Sequence, residues 1–311
     1  MGPIERALEL AERGRGTTHP NPVVGAVVTT PKGTVVGEGW HEHAGGPHAE
    51  VVALRAAGGR AKGATLYVTL APCARFGRTP PCVDAIVGAG VARVVVGADD
   101  PTQTGIERLR ELGVEVELLD LWDARRQNEA WLTWSTLERP FVTYKVAVTL
   151  DGRVTVPGSR WISGDESRRL VHELRAGSDA VAVGMGTVRA DRPRLDARGV
   201  EVLRQPRRLA FGRGPLPDGS ELELRPRAPD EELRTLGAEG VQSLLLEGGP
   251  TLATGFLERD LIDTLLVFVA PTLGGDGPHF LRELPRSVEL RRVSVHGVGS
   301  DLLVEAYIHE P

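Results

Sequence analysis

The chain has few cysteines, few aromatics and no surplus of positive charge. Two cysteines in 311 residues exclude the disulfide-dense scaffold of small secreted domains, leaving one bridge or a shared chemical role. A formal net charge of −5 excludes a global basic field, which argues against a polynucleotide substrate and leaves small molecules open. No apolar run approaches the roughly 20 residues of a membrane span. Met1-Gly2-Pro3-Ile4-Glu5-Arg6 lacks a basic segment followed by an apolar one, so no signal peptide is expected and a cytoplasmic location is the default. Internal repeats and low-complexity tracts are also absent. The aromatic fraction is 5%, while the hydrophobic fraction of 41% and the charged fraction of 25% are those of a globular chain. A length of 311 residues suggests about two domains.

Strand and helix patterns alternate along both halves. Residues 4–13 have helical spacing and close at Gly14. Strands are expected over Val23–Thr30, Val35–Trp40, Ala64–Leu70, Ala92–Gly97 and Val114–Leu118. Helices are expected over His48–Ala57, Pro81–Ala89, Gly105–Leu112 and, as one amphipathic piece, Trp122–Leu137, whose Trp131 and Trp134 read as core. Such alternation predicts an α/β layer with a covered sheet. Pro140 disfavours helix at Arg139, so the domain boundary is placed there, giving residues 1–139 and 140–311. The second half repeats the pattern: strand Phe141–Thr149, helix Gly164–Ala176, strands Ala180–Gly184, Arg208–Phe211 and Ser243–Leu246, helix Thr251–Glu258 and strand Thr264–Val269. The stretch from Gly212 to Arg227 reads as loop and short strand.

The strongest chemical signal is His48-Ala49-Glu50, followed by Pro72-Cys73 and Pro80-Pro81-Cys82. One imidazole and two thiolates are the protein ligands of a catalytic zinc that keeps its fourth position for water. Water on such an ion becomes acidic near neutral pH, and Glu50 is the group that carries its proton to a leaving amine. His48 and Cys82 both fall where helices are expected to start, where the dipole favours a thiolate. A closed structural zinc site would need a fourth ligand, and no neighbouring cysteine supplies one. A single disulfide is the other reading of the two cysteines.

These residues, with Thr17-Thr18-His19-Pro20-Asn21-Pro22-Val23-Val24-Gly25, Gly37-Glu38-Gly39-Trp40-His41 and Gly77-Arg78-Thr79-Pro80-Pro81-Cys82, resemble the deaminase half of the bifunctional riboflavin-biosynthesis deaminase–reductase family. The resemblance covers roughly residues 1–138. It implies a cytidine-deaminase-like domain acting on 2,5-diamino-6-ribosylamino-4(3H)-pyrimidinone 5′-phosphate, with Asn21 and His41 lining the pyrimidine pocket. The blander readings are a turn residue for Asn21 and a satisfied strand-end histidine for His41. The chain departs from the family where Ala71, Ala74, Arg75 and Phe76 replace a glutamate, a serine and paired histidines, and the loop after Asp100-Pro101 is shortened. Arg75 and Arg78 present positive charge either to the substrate phosphate or to solvent.

Residues 140–311 resemble the reductase half of the same family, through Leu150-Asp151-Gly152-Arg153, Trp161-Ile162-Ser163, Gly186-Thr187-Val188 with Asp191-Arg192-Pro193, and Leu245-Leu246-Glu247-Gly248-Gly249-Pro250-Thr251-Leu252. Glycines at a helix start let backbone N–H groups approach a pyrophosphate, although a plain tight turn has the same composition. The resemblance implies a dihydrofolate-reductase-like α/β fold that uses NADPH. Nucleotide contacts would come from Ala147, Ser163, Thr187, Asp191 and the run Gly249, Pro250, Thr251, Leu252, Ala253, Thr254 and Gly255. Substrate contacts would come from Ser159, Trp161, Arg175, Leu195, Arg198 and Glu247, with Lys145 and Glu247 beside the reacting ribose carbon. Lys145 also fits a snorkelling strand lysine, and Arg175 and Arg198 fit surface charges. Arg213 stands where the family has serine, and the segment from Pro217 to Val241 is shorter than the family's. A homodimer built through this half is the family expectation. The competing readings are that one half is a relic, or that the zinc core serves a nucleic-acid base deaminase.

Overall fold

The structure, a computed structural model, describes residues 1–76 and 80–311. The chain divides into two compact units, Met1–Thr136 with the terminal Pro311, and Leu137–Glu310.

In the first unit, α1 (Pro3–Glu12) buries Ile4, Ala7, Leu10 and Ala11, a stripe at helical spacing. It is followed by β1 (Gly25–Thr29), β2 (Val35–Trp40), α2 (Ala49–Ala57), β3 (Thr65–Leu70), α3 (Cys82–Gly88), β4 (Arg93–Ala98), α4 (Gly105–Glu111) and β5 (Glu115–Leu118). The sheet order is β2-β1-β3-β4-β5. β1 runs antiparallel to β2 and β3, while β3, β4 and β5 are parallel. The helix α2 lies close against β2 because Gly37 has no side chain: a Cβ there would stand 2.2 Å from the Ala53 carbonyl oxygen.

The expected helix Trp122–Leu137 is two helices, α5 (Trp122–Gln127) and α6 (Glu129–Leu137). Asn128 breaks it. Its Oδ1 accepts from Val23 N at 2.9 Å and its Nδ2 donates to Val23 O at 2.9 Å, so a buried side chain stands in for a strand partner. Holding that pairing takes Asn128 to φ −118°, ψ 20°, outside the helix.

The second unit runs β6 (Phe141–Thr149), α7 (Asp165–Ala176), β7 (Ala180–Gly184), α8 (Met185–Asp191), β8 (Arg207–Phe211), β9 (Glu223–Arg225), α9 (Pro229–Ala238), β10 (Ser243–Leu246), α10 (Pro250–Leu257), β11 (Thr264–Ala270), β12 (Arg291–Val298) and β13 (Asp301–Tyr307). Its sheet order is β12-β13-β11-β6-β10-β7-β8-β9. The strands from β11 to β9 in that order are parallel, while β13 and β12 add an antiparallel margin. The carboxyl ends of β6, β10 and β7 therefore share one edge, the usual place for a ligand crevice in such sheets. The α/β class expected for both halves is what the two sheets show.

One ionic anchor ties the first strand of this unit to its end. Asp263, 2% exposed, accepts from Arg139 Nη1 and Nη2 at 2.8 Å each and from Val142 N at 2.7 Å. His309 lies 3.3 Å from Asp263 and 3.2 Å from Asp260. The hydrogen bond to Asp263 outweighs burial and holds the imidazole above its ordinary value. A raised folded-state value gives stability that is full below about 6.5, the unfolded value, and is lost as pH rises through the folded one. Thermal midpoints should thus fall from about pH 6.5 upward in the native chain, and His309→Gln should flatten that decline. Identical profiles for both proteins would remove the coupling.

Candidate active sites

The zinc-type cluster is assembled from the starts of two helices and the loop after β3. His48 is the N-terminal residue flanking α2, and its ring does not cap the helix. Cys82 opens α3. Cys73 follows β3 by three residues, in a turn fixed by Gly105, where a Cβ would stand 1.7 Å from the Pro72 carbonyl oxygen. The ligand atoms of His48, Cys73 and Cys82 lie within 4.8 Å of one another. His48 Nδ1 is 2.9 Å from Cys82 Sγ and 3.6 Å from Cys73 Sγ. Both cysteines are free thiols, so the disulfide reading is excluded.

The Cys82 thiol donates to Cys73 and holds it down at about 4, while Cys82 itself is pushed far up. The Cys82 backbone N–H, 3.3 Å from Cys73 Sγ, adds to this. A thiolate beside a second sulfur and an imidazole is a soft, anionic donor set that suits a zinc ion with one position left over. Glu50 stands in the first turn of α2, 3% exposed, and is not part of the donor cluster. Burial pushes its carboxyl up.

These groups border a cavity of about 500 Å³. Asn21, His41 and Arg75, expected in the substrate pocket, all line it. Asn21 Nδ2 is 3.1 Å from His41 Nε2, and His41 Nδ1 is 3.0 Å from the Pro47 carbonyl oxygen. Burial holds His41 below its ordinary value. Arg78 lies outside the described residues.

Three wall residues escaped the sequence reading. Trp131, read as core, lines the cavity. So do Asp100 and Gln103. Asp100 accepts from Thr102 N at 2.9 Å and Thr102 Oγ1 at 2.6 Å, and burial raises its carboxyl. Its position just past a parallel strand was the available signal.

The second unit has a cleft of about 1100 Å³ across the carboxyl ends of β6, β10 and β7. Glu247 follows β10 directly and meets two cations: Arg175 Nε is 2.6 Å from its Oε1, Arg175 Nη2 is 3.0 Å from its Oε2, and Lys145 Nζ is 3.6 Å from Oε2. Burial alone would push this carboxyl up, but Lys145 and then Arg175 hold it below its usual range. Lys145 is thus a half-buried charge partner of Glu247, not a snorkelling lysine.

Ala147, Ser163, Thr187 and Asp191 line the cleft, as do Gly249 to Leu252. Ser159, Trp161 and Arg198 line it too, and Arg198 Nη1 donates to Asp196 Oδ1 at 2.6 Å. Gly249 flanks the start of α10, and a Cβ there would meet nothing closer than Thr187 Oγ1 at 3.5 Å. Gly248 is tighter, because a Cβ there would stand 2.8 Å from Leu252 Cδ2.

Four expected contacts are not among the cleft residues. Leu195, 2% exposed, packs with Val181, Val183 and Met185, since an apolar side chain gains more in that core. Ala253 is buried in the main core, and Thr254 Oγ1 accepts from Arg282 N at 2.9 Å. Gly255 lies more than one turn inside α10. Arg160 and Arg168 were missed: both guanidinium groups lie over the Trp161 ring, at 5.1 and 5.2 Å, on the cleft wall.

Comparison with known proteins bears on both units. Residues 3–98 match the cytidine and deoxycytidylate deaminase zinc-binding region, and residues 140–304 match the RibD C-terminal domain. The riboflavin biosynthesis protein RibD of Aquifex aeolicus is 41% identical over 97% of this chain and 96% of its own. The chain belongs to the RibD family. RibD of Escherichia coli is 39% identical over 91% of this chain and 90% of its own. Acinetobacter baumannii RibD superposes with a TM-score of 0.86 at 34% identity, covering 98% of this chain and 97% of that one. A Thermotoga maritima structure superposes with a TM-score of 0.84 at 34% identity over the same shares, and is described as a diaminohydroxyphosphoribosylaminopyrimidine deaminase/5-amino-6-(5-phosphoribosylamino)uracil reductase. As a RibD protein the chain is an enzyme of riboflavin biosynthesis that carries both a zinc-type deaminase domain and a reductase domain. No helix among the described residues is long and apolar enough to cross a membrane.

Proposed function

We propose that residues 1–139 deaminate 2,5-diamino-6-ribosylamino-4(3H)-pyrimidinone 5′-phosphate and that residues 140–311 then reduce its ribosyl group to ribityl with NADPH. The observation that carries the reading is the cluster His48, Cys73 and Cys82 beside a buried carboxyl, all opening on one cavity. A zinc ion held there supplies an acidified water. Glu50 takes up a proton and returns it to the departing amine. Asn21 and His41 form the heterocycle's wall, and Arg75 offers its charge to the phosphate, with Arg78 assigned the same part.

In the reductase cleft the cofactor supplies the hydride when bound. Gly249 to Leu252, Thr187, Asp191, Ser163 and Ala147 border its place. Lys145 steadies the ribose oxygen as charge develops on it, Glu247 orients the sugar, and Ser159, Trp161, Arg175 and Arg198 hold the phosphoribosyl end.

We assign a homodimer through the reductase half. Supporting it, the marginal strand β12 leaves Val293 and Val295 exposed, and Leu302 beside them on β13. A cytoplasmic location goes with free thiols kept reduced.

The altered loop Ala71 to Phe76 favours a second reading in which only the reductase half works. One experiment separates the two. Zinc-replete protein is incubated with the diaminopyrimidine phosphate, with and without NADPH, and product masses are read. The expected result is ammonia release without NADPH, and a further gain of two hydrogens with it. Reduction of a supplied deaminated substrate without any ammonia release would favour the second reading. Neither product would reject both.

A further inference from the structure

We propose that His41 is a positioning residue that fixes the hydrogen-bonding polarity of the deaminase cavity. By engaging the Asn21 amide nitrogen it leaves the amide oxygen as an acceptor for the bound heterocycle, which matches it with an N–H. The identity of the ligand rests on the deaminase reading above; the polarity does not.

The chain of bonds starts at a group with no choice. The Pro47 carbonyl oxygen can only accept, and it lies 3.0 Å from His41 Nδ1. In a neutral imidazole, Nδ1 therefore carries the proton and Nε2 carries the lone pair. Asn21 stands 3.1 Å from that Nε2. Only the amide NH₂ can donate to a lone pair, so the amide orientation follows from the Pro47 carbonyl and not from the resemblance of its oxygen and nitrogen. The amide oxygen is then left over, together with the second N–H of the amide. Asn21 lines the cavity, and its Oδ1 makes no hydrogen bond with the protein among the described residues. An acceptor beside a cavity of this size selects a ligand N–H, such as an exocyclic amino group or a protonated ring nitrogen. A ligand offering a carbonyl there would face a second oxygen.

His41 is 3% exposed, and its ring meets that of His48 edge-on at 5.4 Å between centroids. It is thus held between the Pro47 carbonyl, Asn21 and the ligand cluster, with little freedom to turn over.

The test uses the full-length, zinc-replete protein with ¹⁵N-labelled histidine, at about pH 8, well above the ordinary imidazole value. The expected spectrum shows His41 protonated on Nδ1 and bare on Nε2. Steady-state kinetics with the diaminopyrimidine phosphate are compared across three variants, each checked for zinc content and thermal midpoint. His41→Phe frees the amide to turn and should raise KM roughly 10- to 100-fold, the cost of an unmatched polar contact. His41→Gln can donate to Pro47 and accept from Asn21, so it should recover most of that loss. Asn21→Asp keeps an acceptor toward the ligand and should retain more activity than Asn21→Leu. A proton on Nε2, or equal KM values in the Phe and Gln variants, would overturn the assignment. If the native protein releases no ammonia at all, the deaminase reading fails, and the spectrum still decides the polarity.

Discussion

Replacing Glu50 by Gln should stop ammonia release, by about a hundred- to ten-thousand-fold, the range that general acid–base groups contribute. The side chain keeps its shape and loses only its capacity to move a proton. Zinc should remain stoichiometric, because Glu50 is not one of the three clustered donors. NADPH-dependent reduction of a supplied deaminated substrate should be unchanged, because Glu50 belongs to the other unit. Stability should not fall. A carboxyl whose value is raised by burial prefers its neutral form when folded, so above the unfolded value it destabilises the fold as an anion. A neutral amide removes that cost, and the thermal midpoint near pH 7 should hold or rise. Ammonia release within a few-fold of native would assign the proton transfer elsewhere. Asp100, the other raised carboxyl on the cavity wall, would be the next group to test.

Glu50 and the donor cluster were legible in the sequence because residue type and spacing carry their chemistry. A histidine two residues before a glutamate at a helix start is common by itself, but with two cysteines around a second helix start it points to a metal site. The cavity wall was not legible in the same way. Asp100 and Trp131 reach the site from β4 and α6, and their approach depends on strand order and on the break at Asn128. That break is itself a long-range effect, since Asn128 pairs with Val23 across 105 positions. Local pattern sees only an uninterrupted amphipathic run.

The second unit shows the same division. Its parallel strands read clearly because buried strands are continuous apolar runs. The margin did not. β12 is exposed along almost its whole length, and after Arg291 and Arg292 only Val293 and Val295 alternate with Ser294 and His296, too short a pattern to mark a strand. Pairing with β13 defines it. The helix α9 was passed over although its start is well signalled, with Pro229 at the first position and Asp230, Glu231 and Glu232 in the first turn. The glycine turn after β10 opens α10 at Pro250, one residue before the expected start at Thr251. Only Gly249 to Leu252 reach the cleft, because by Ala253 the helix has turned its face to the core.

The largest effect in the reductase half should follow from Glu247→Ala. The carboxylate is 10% exposed and serves two cations, Arg175 through a bidentate pair and Lys145 at 3.6 Å. Removing one member of a buried ionic cluster costs about 3–5 kcal/mol, because the remaining charges stay buried without a partner. Here two like charges would be left facing each other, and Arg175 would keep only its bond to the Asp196 carbonyl oxygen. Reductase kcat/KM should fall by roughly a hundredfold through the lost orientation of the sugar, equivalent to about 2.7 kcal/mol of transition-state stabilisation at about 1.36 kcal/mol per factor of ten. Ammonia release should be untouched. Two further measurements separate a damaged site from a damaged fold. NADPH binding should weaken only a few-fold, as Gly249 to Leu252 are intact, while the KM for the phosphoribosyl substrate rises. Glu247→Gln should stand between native and Glu247→Ala, because it keeps the shape but not the charge that holds Lys145 and Arg175 in place. Native-like kinetics for Glu247→Ala would mean that the cluster only braces the sheet, and that the sugar is oriented by other groups in the cleft. Equal loss of both activities would instead point to unfolding, since the two sites share no residue.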